Sequence, residues 1–364
     1  MKKISLFIVL ICCTAPLLAV SPYVSQVFEF VPAPGQFVNV LPAYVAEEDA
    51  DAVLAKVNAG LVGKENGTIV SLGAWGGYLV VGFDHTIANM PDLSDFKISG
   101  NAFSGNSEPG VVLVSVDENN NDLPDDTWYE LAGSEFGKDS TWTNYEVTYY
   151  RPSAEKEAVT GAVADYIRWK DNRDSTGFVV KNSFHTQSYF PQWLAADSLV
   201  FRGTRLPNNG VQSAAGSYTQ LTSFAFGYAD NLPNNSEGSE FNIDWAVDSF
   251  GNSVHLSGID FVKIYTGVFQ DNGWIGECST EVSGVMDLHT LTALPDYHTS
   301  SALIYTEGQQ LIVENSLEET IQIFSISGVC VAQSPAVKQA SFQIATPGVY
   351  LVKVGHSVQK VMIR

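Results

Sequence analysis

Cysteine is scarce in this chain: 364 residues contain only Cys12, Cys13, Cys278 and Cys330. The first two fall in an apolar leader and the other two in segments that read as different domains, so no disulfide framework follows even if the compartment is oxidising. Basic residues are few, 19 Lys and Arg against 40 Asp and Glu, and a formal charge of −21 excludes the basic surface that phosphate backbones demand. Beyond the leader no apolar stretch reaches the roughly 20 residues of a membrane-spanning helix. The expectation is a soluble mature chain, or one tethered only through an end. Histidines 85, 185, 255, 289, 298 and 356 are scattered without His-Glu-x-x-His or other metal-ligand spacing, no Gly-x-Ser-x-Gly elbow occurs, and Cys278 has no catalytic context. Enzyme chemistry is therefore thinly supported. Paired carboxylates such as Asp125 with Glu130 are the remaining option, for glycosidic acid/base work.

What is present begins with Lys2 and Lys3, an apolar run from Leu6 to Ile11, and Leu17, Leu18 and Ala19. This is the pattern of a secretory signal peptide, residues 1–19, cleaved after Ala19. From Leu303 onward acids and bases balance, so the middle carries the total of −21 less the two leader lysines, −23. That acidity reads first as surface charge favouring solubility.

Short alternating runs set off by Asn, Asp and Gly predict strands at Gly110 to Val116, Tyr145 to Tyr150, Ser198 to Arg202, Phe241 to Val247 and Ile259 to Thr266. One helix is predicted over Ala46 to Leu61, where Val53, Leu54, Val57 and Leu61 repeat at helical spacing. The fold class expected is all-β: a large antiparallel jelly-roll-like β-sandwich over 20–293, a linker at 294–302, and a small Ig-like β-sandwich over 303–364.

Two patterns in the large domain point to binding. Phe184, His185, Tyr189, Phe190 and Trp193 crowd a segment without clean alternation, and Trp274 stands between glycines at a turn. Aromatic side chains on loops are ligand-platform candidates, although packing under a loop is the plainer use of each one. The run from Asp117 to Asp126 places Asp117, Asn119, Asn121 and Asp125, with the Leu123 carbonyl, as oxygen ligands for Ca²⁺. Against the EF-hand pattern, Asp122 stands where the turn glycine belongs and Trp128 where the bidentate Glu belongs. A solvated Asx-rich loop is the alternative.

The tail Ile321-Gln322-Ile323-Phe324-Ser325-Ile326-Ser327-Gly328-Val329, then Thr346-Pro347-Gly348-Val349-Tyr350-Leu351-Val352-Lys353-Val354 and Lys360-Val361-Met362-Ile363-Arg364, resembles the type A sorting domain of type IX secretion cargo. Ser325 and Val329 depart from the Asp and Arg usual at the first turn. The resemblance implies handling by the type IX secretion machinery and a cell-surface or extracellular location.

A second resemblance spans Val27 to His289. It is carried by Phe30-Val31-Pro32-Ala33-Pro34-Gly35-Gln36-Phe37-Val38-Asn39, Gly82-Phe83-Asp84-His85-Thr86-Ile87, Leu123-Pro124-Asp125-Asp126, Trp128-Tyr129-Glu130-Leu131-Ala132-Gly133-Ser134-Glu135, Phe201-Arg202-Gly203-Thr204 and Asp260-Phe261-Val262-Lys263-Ile264-Tyr265-Thr266. These stretches are similar to Bacteroidetes cell-surface proteins linked to vitamin B12 uptake, the BtuH-like cobamide-binding class. That implies a corrinoid as ligand rather than cofactor, and an outer-membrane transporter as partner. A corrin is broad and apolar across its faces with a rim of neutral amides, which suits aromatic platforms edged by Asn, Gln, Ser and Tyr. The buried-tail motif of cobalamin enzymes is only mimicked by Asp287-Leu288-His289, with Thr292 in place of Gly, so capture at a surface cleft is expected. A carbohydrate-binding module or a glycan-active hydrolase is the alternative.

Overall fold

Alternation along two strands decides the middle of the molecule. In the strand Gly110–Ser115, Val112 and Val114 enter one hydrophobic core while Val111 and Leu113 pack in another. The neighbouring strand Gly258–Thr266 does the same, with Val262 and Ile264 on one side and Tyr265 on the other. Successive side chains in a strand point to opposite faces, so a strand apolar at consecutive positions must be covered twice. These two strands pair with each other inside an antiparallel six-stranded sheet, flanked by Tyr78–Ala88 and Gln26–Val31 on one side and by Trp128–Leu131 and Ala246–Val247 on the other.

The computed structural model describes residues 20–154, 163–212, 219–290, 302–315, 318–325, 329–355 and 357–363. The expected signal peptide over 1–19 and most of the expected linker lie outside them.

On one face of the central sheet lie the helix Ala50–Leu61, through Val53, Val57 and Leu61, and a three-stranded sheet that contributes Phe96, Ile98, Phe241 and Val285. On the other lies a four-stranded antiparallel sheet in the order Ser198–Arg205, Trp142–Tyr150, Val163–Asp171, Thr176–Lys181. Its inward Tyr145, Val147, Tyr149, Ile167, Val179 and Phe201 close the second core around Trp75. Trp75 is fully buried against Tyr145, ring centroids 4.8 Å apart, and the Tyr149 hydroxyl donates to its carbonyl at 3.0 Å.

The predicted all-β sandwich is therefore present. The helix starts four residues later than its periodicity suggested, because Glu47 takes a left-handed conformation (φ 72°) and extended Asp49 caps it, accepting from Ala52 N at 2.9 Å. The strand predicted over Phe241 to Val247 is interrupted: Asn242 accepts from Asp244 N at 2.7 Å and turns the chain through the 3₁₀ segment Ile243–Trp245.

Val20–Thr290 forms one unit and the C-terminal residues another. The latter carries a three-stranded sheet, Ala302–Glu307, Gln310–Asn315 and Gln339–Gln343, and a four-stranded sheet, Cys330–Ser334, Ile321–Ser325, Gly348–Val354 and Ser357–Ile363. Both supply its core of Leu311, Val313, Ile321, Ile323, Tyr350, Val352 and Val354. Because each unit owns a core, a chain ending at Thr290 should keep one cooperative thermal transition at the temperature it has in the full chain, checked by calorimetry. Loss of cooperativity on truncation would show the tail to be part of the larger core.

Candidate functional site

The aromatic segment divides when it folds. Tyr189, Phe190 and Trp193 turn inward and are at least nine-tenths buried, with Trp193 stacked on Phe30 at 6.0 Å. They are core rather than platform, the use that hydrophobic burial favours for large rings. Phe184 stays 72% exposed, and the half-buried His185 meets Phe37 edge-on at 4.6 Å. Asn182 sets this turn by accepting from Phe184 N at 3.0 Å and His185 N at 2.9 Å. Trp274 belongs to a 3₁₀ turn, Gly273–Ile275, and its side chain lies outside the described residues.

Phe184 and His185 border a cavity of about 290 Å³, with Gln36, Phe37, Asn101, Asn106, Ile275 and Ser279. Its remaining wall is acidic, from Glu108 and Glu281. With Asp230 these bring three carboxylates together, ligand oxygens all within 4.8 Å of one another. Asp230 and Glu281 are buried and Glu108 is partly open. Backbone donors hold part of the cluster: Asp230 Oδ1 accepts from Asn101 N and Ala102 N, both at 2.8 Å, its Oδ2 from Glu281 N at 3.0 Å, and Glu108 Oε1 from Ser279 N at 3.0 Å. A Cβ at Gly100 would come within 2.4 Å of Asp230 Oδ1, so this approach requires glycine. Glu281 Oε1 is buried with no hydrogen-bond partner.

Burial raises all three carboxyl groups above their ordinary range, and mutual repulsion adds to it for Glu108 and Glu281. Glu277, next along the same segment, is pushed to about 7 by burial despite accepting from Gln36 N at 2.6 Å. Glu108, Asp230 and Glu281 are gathered from separate stretches of the chain, and no local spacing marks them as a group.

A wider cleft, about 930 Å³, is walled by both large sheets and two loops. Leu113, Trp128, Glu130, Lys263 and Tyr265 come from the central sheet, and Thr143, Asn144, Glu146 and Arg202 from the four-stranded one. The loops add Phe136 and Phe250, the latter 89% exposed. Arg202, Lys263 and Tyr265 also line an adjoining hollow of about 390 Å³. Glu130 is raised to about 7 by burial, against the hydrogen bond it accepts from Thr204 Oγ1 at 2.6 Å. Asp125, its suggested acid/base mate, is engaged in its own loop with Asn119 and Asn121. Nothing in sequence marks Phe250, whose exposure is a property of the folded loop.

In the Asp117 to Asp126 loop the anticipated ligands do converge, but on each other. Asp117 accepts from Asn121 N at 3.0 Å and Asp122 N at 2.8 Å, Asn121 Oδ1 from Leu123 N at 2.8 Å, and the Leu123 carbonyl from Asp125 N at 2.9 Å. Asn119 Nδ2 donates to Asp125 Oδ1 at 3.1 Å. Asn120 and Asp122 take left-handed φ near 57° and 58°, which Asn and Asp tolerate. A cation would compete with these bonds. His289 Nε2 sits 2.7 Å from the Ser94 carbonyl and Asp287 Oδ2 2.9 Å from His85 Nε2, so both hold structure together.

No family model and no curated protein matches the chain.

The raised carboxyls set a pH dependence. In the folded chain Glu130 and Glu277 keep protons up to about pH 7, whereas unfolded glutamates lose them near 4.5. The native state binds more protons in that window, so stability is greatest below it and falls as pH rises through 7. His85 acts in the same direction: burial pulls it down, but its bonds to Asp287 and Asp84 outweigh this. His185, lowered by burial, opposes them. The urea midpoint of the metal-free chain should be lower at pH 8 than at pH 5.5; a higher midpoint at pH 8 would contradict the assignment.

Proposed function

We propose that the Val20–Thr290 unit is a non-catalytic capture module of the cell exterior that holds a corrinoid in the 930 Å³ cleft. The observation that carries this is an almost fully exposed ring, Phe250, beside Phe136 on the rim of a cleft in the upper size range of small-molecule sites. An exposed ring costs free energy unless something covers it. Thr141, Thr143, Asn144 and Ser249 on the same rim offer hydrogen bonds to neutral amides. The ligand class itself rests on the resemblance of Val27 to His289 to the cobamide-binding group.

Purified chain mixed with cyanocobalamin should retain it on gel filtration with a shifted visible spectrum. Phe250→Ala should weaken retention about tenfold, the loss typical of an aromatic anchor (about 1.4 kcal/mol). Phe184→Ala, in the other cavity, should leave it unchanged. No retention of any corrinoid would end this assignment.

A second reading has its own observation: Glu130, Glu146, Asp139 and Asp248 surround the cleft with carboxylates, and Arg202 is paired with Glu146 at 2.5 Å. Carboxylates and aromatic rings together suit the hydroxyls and apolar faces of sugars. Binding on a glycan array without corrinoid retention would select this reading, and release of reducing ends would select a hydrolase.

The Asp117 to Asp126 loop is proposed as a weak, millimolar Ca²⁺ site, because the ion must displace the bonds Asp117 and Asn121 already accept. Export is proposed through the tail, as type IX secretion cargo, with an outer-membrane transporter as partner at the surface. Deleting Leu303 to Arg364 should leave the protein in the periplasm; undiminished surface display would refute the proposal. Among the described residues no helix is long and apolar enough to cross a membrane.

A further inference from the structure

The acidic wall of the smaller cavity is hard to explain as packing. Three carboxylates converge there, two of them buried. Among the described residues none of the three forms an ion pair with a lysine, arginine or histidine. Asp230 is satisfied by three backbone N–H groups, but Glu281, only 3% exposed, has an oxygen without any partner. A buried acceptor left unpaired costs about 1–3 kcal/mol, and more when charged. Replacing Glu281 with an apolar residue would remove that cost, so packing alone does not account for a carboxylate here.

We propose that Glu108, Asp230 and Glu281 form a binding site for a hard divalent cation of the Ca²⁺ class, at the floor of the cavity beneath Phe37, Phe184 and His185. The separations suit it. One oxygen from each of the three carboxylates lies within 4.8 Å of the other two, close enough for all three to reach one ion at ligand distances of about 2.3–2.6 Å. The donor type suits it as well. Asn101 and Asn106 also line the cavity, and amide side chains carry oxygens of the hard type that an ion taking six to eight oxygen ligands accepts. Neither sulfur nor imidazole belongs to the cluster, as a softer metal would prefer.

The site is also pre-assembled. Asp230 is fixed by backbone donors from two directions, Asn101 and Ala102 on one side and Glu281 on the other. Gly100 leaves room for that approach. Three carboxylates this close together repel one another, and a divalent cation between them replaces that repulsion with attraction. Its open side faces the cavity, where water can complete the sphere.

The test is equilibrium dialysis of the purified full chain with CaCl₂ at pH 8 after chelator treatment. The proposed loop site is first removed by D117N with D125N. In that background the chain should still retain one Ca²⁺, and adding E281Q should weaken retention at least tenfold. The same substitution should leave the Ca²⁺-free melting temperature equal or higher, because it relieves repulsion. A merely structural glutamate would lower it. If E281Q does not fold, E108Q, at the partly open member, carries the same expectation. No Ca²⁺ retained by D117N/D125N, or retention unaffected by the glutamine substitution, overturns the proposal.

Discussion

The larger unit depends on two central strands that are apolar on both faces. Because Gly110–Ser115 and Gly258–Thr266 send alternate side chains into two separate cores, the central sheet is held only if both sides are covered. The helix Ala50–Leu61 with the three-stranded sheet supplies one cover, and the four-stranded sheet the other. Charge cannot be placed on the inner strands without facing apolar layers. Two residues of Gly258–Thr266 are exceptions: Asp260 accepts from Thr86 Oγ1 and Asp117 N at 2.5 and 2.8 Å, and Lys263 holds its ammonium 3.9 Å from the Tyr78 ring centroid, with its pKa lowered by burial.

Polar chemistry is consequently displaced to the loops and sheet margins, where it collects in two places of different character. The wide cleft has an open mouth, exposed rings and mixed charge. The smaller cavity concentrates one sign of charge on a buried floor. Carboxylates in the cleft reach solvent or a partner, as Glu146 does with Arg202. Those under Phe184 meet backbone N–H groups and each other. The first arrangement is suited to broad, neutral or hydroxylated ligands, the second to a compact cation.

Much of the fold was legible beforehand. Strand alternation marked Gly110–Ser115 and Gly258–Thr266 within a residue or two, since their apolar runs leave no helical alternative of that length. The small C-terminal sandwich was equally visible in its short runs and turns, with left-handed Glu318 and Gly308 at two of them. Side-chain fate was less legible. Phe184 and Trp193 share one segment, yet one is exposed and the other buried, because Asn182 caps a turn between the strand end and the aromatic run. The calcium-like loop shows the same limit: identical residues serve an ion or an Asx network, and spacing alone does not distinguish them.

Local pattern by itself determined the β-rich class, the single helix and the division into a large and a small set of strands, since these follow from periodicity and turn chemistry within a few residues. Only tertiary structure decided where acid and aromatic residues meet. Glu108, Asp230 and Glu281 are brought together by Asp230 accepting backbone N–H groups from Ala102 and Glu281. Such meetings depend on sheet order and loop closure, which pair residues far apart in the chain, and no local spacing encodes them.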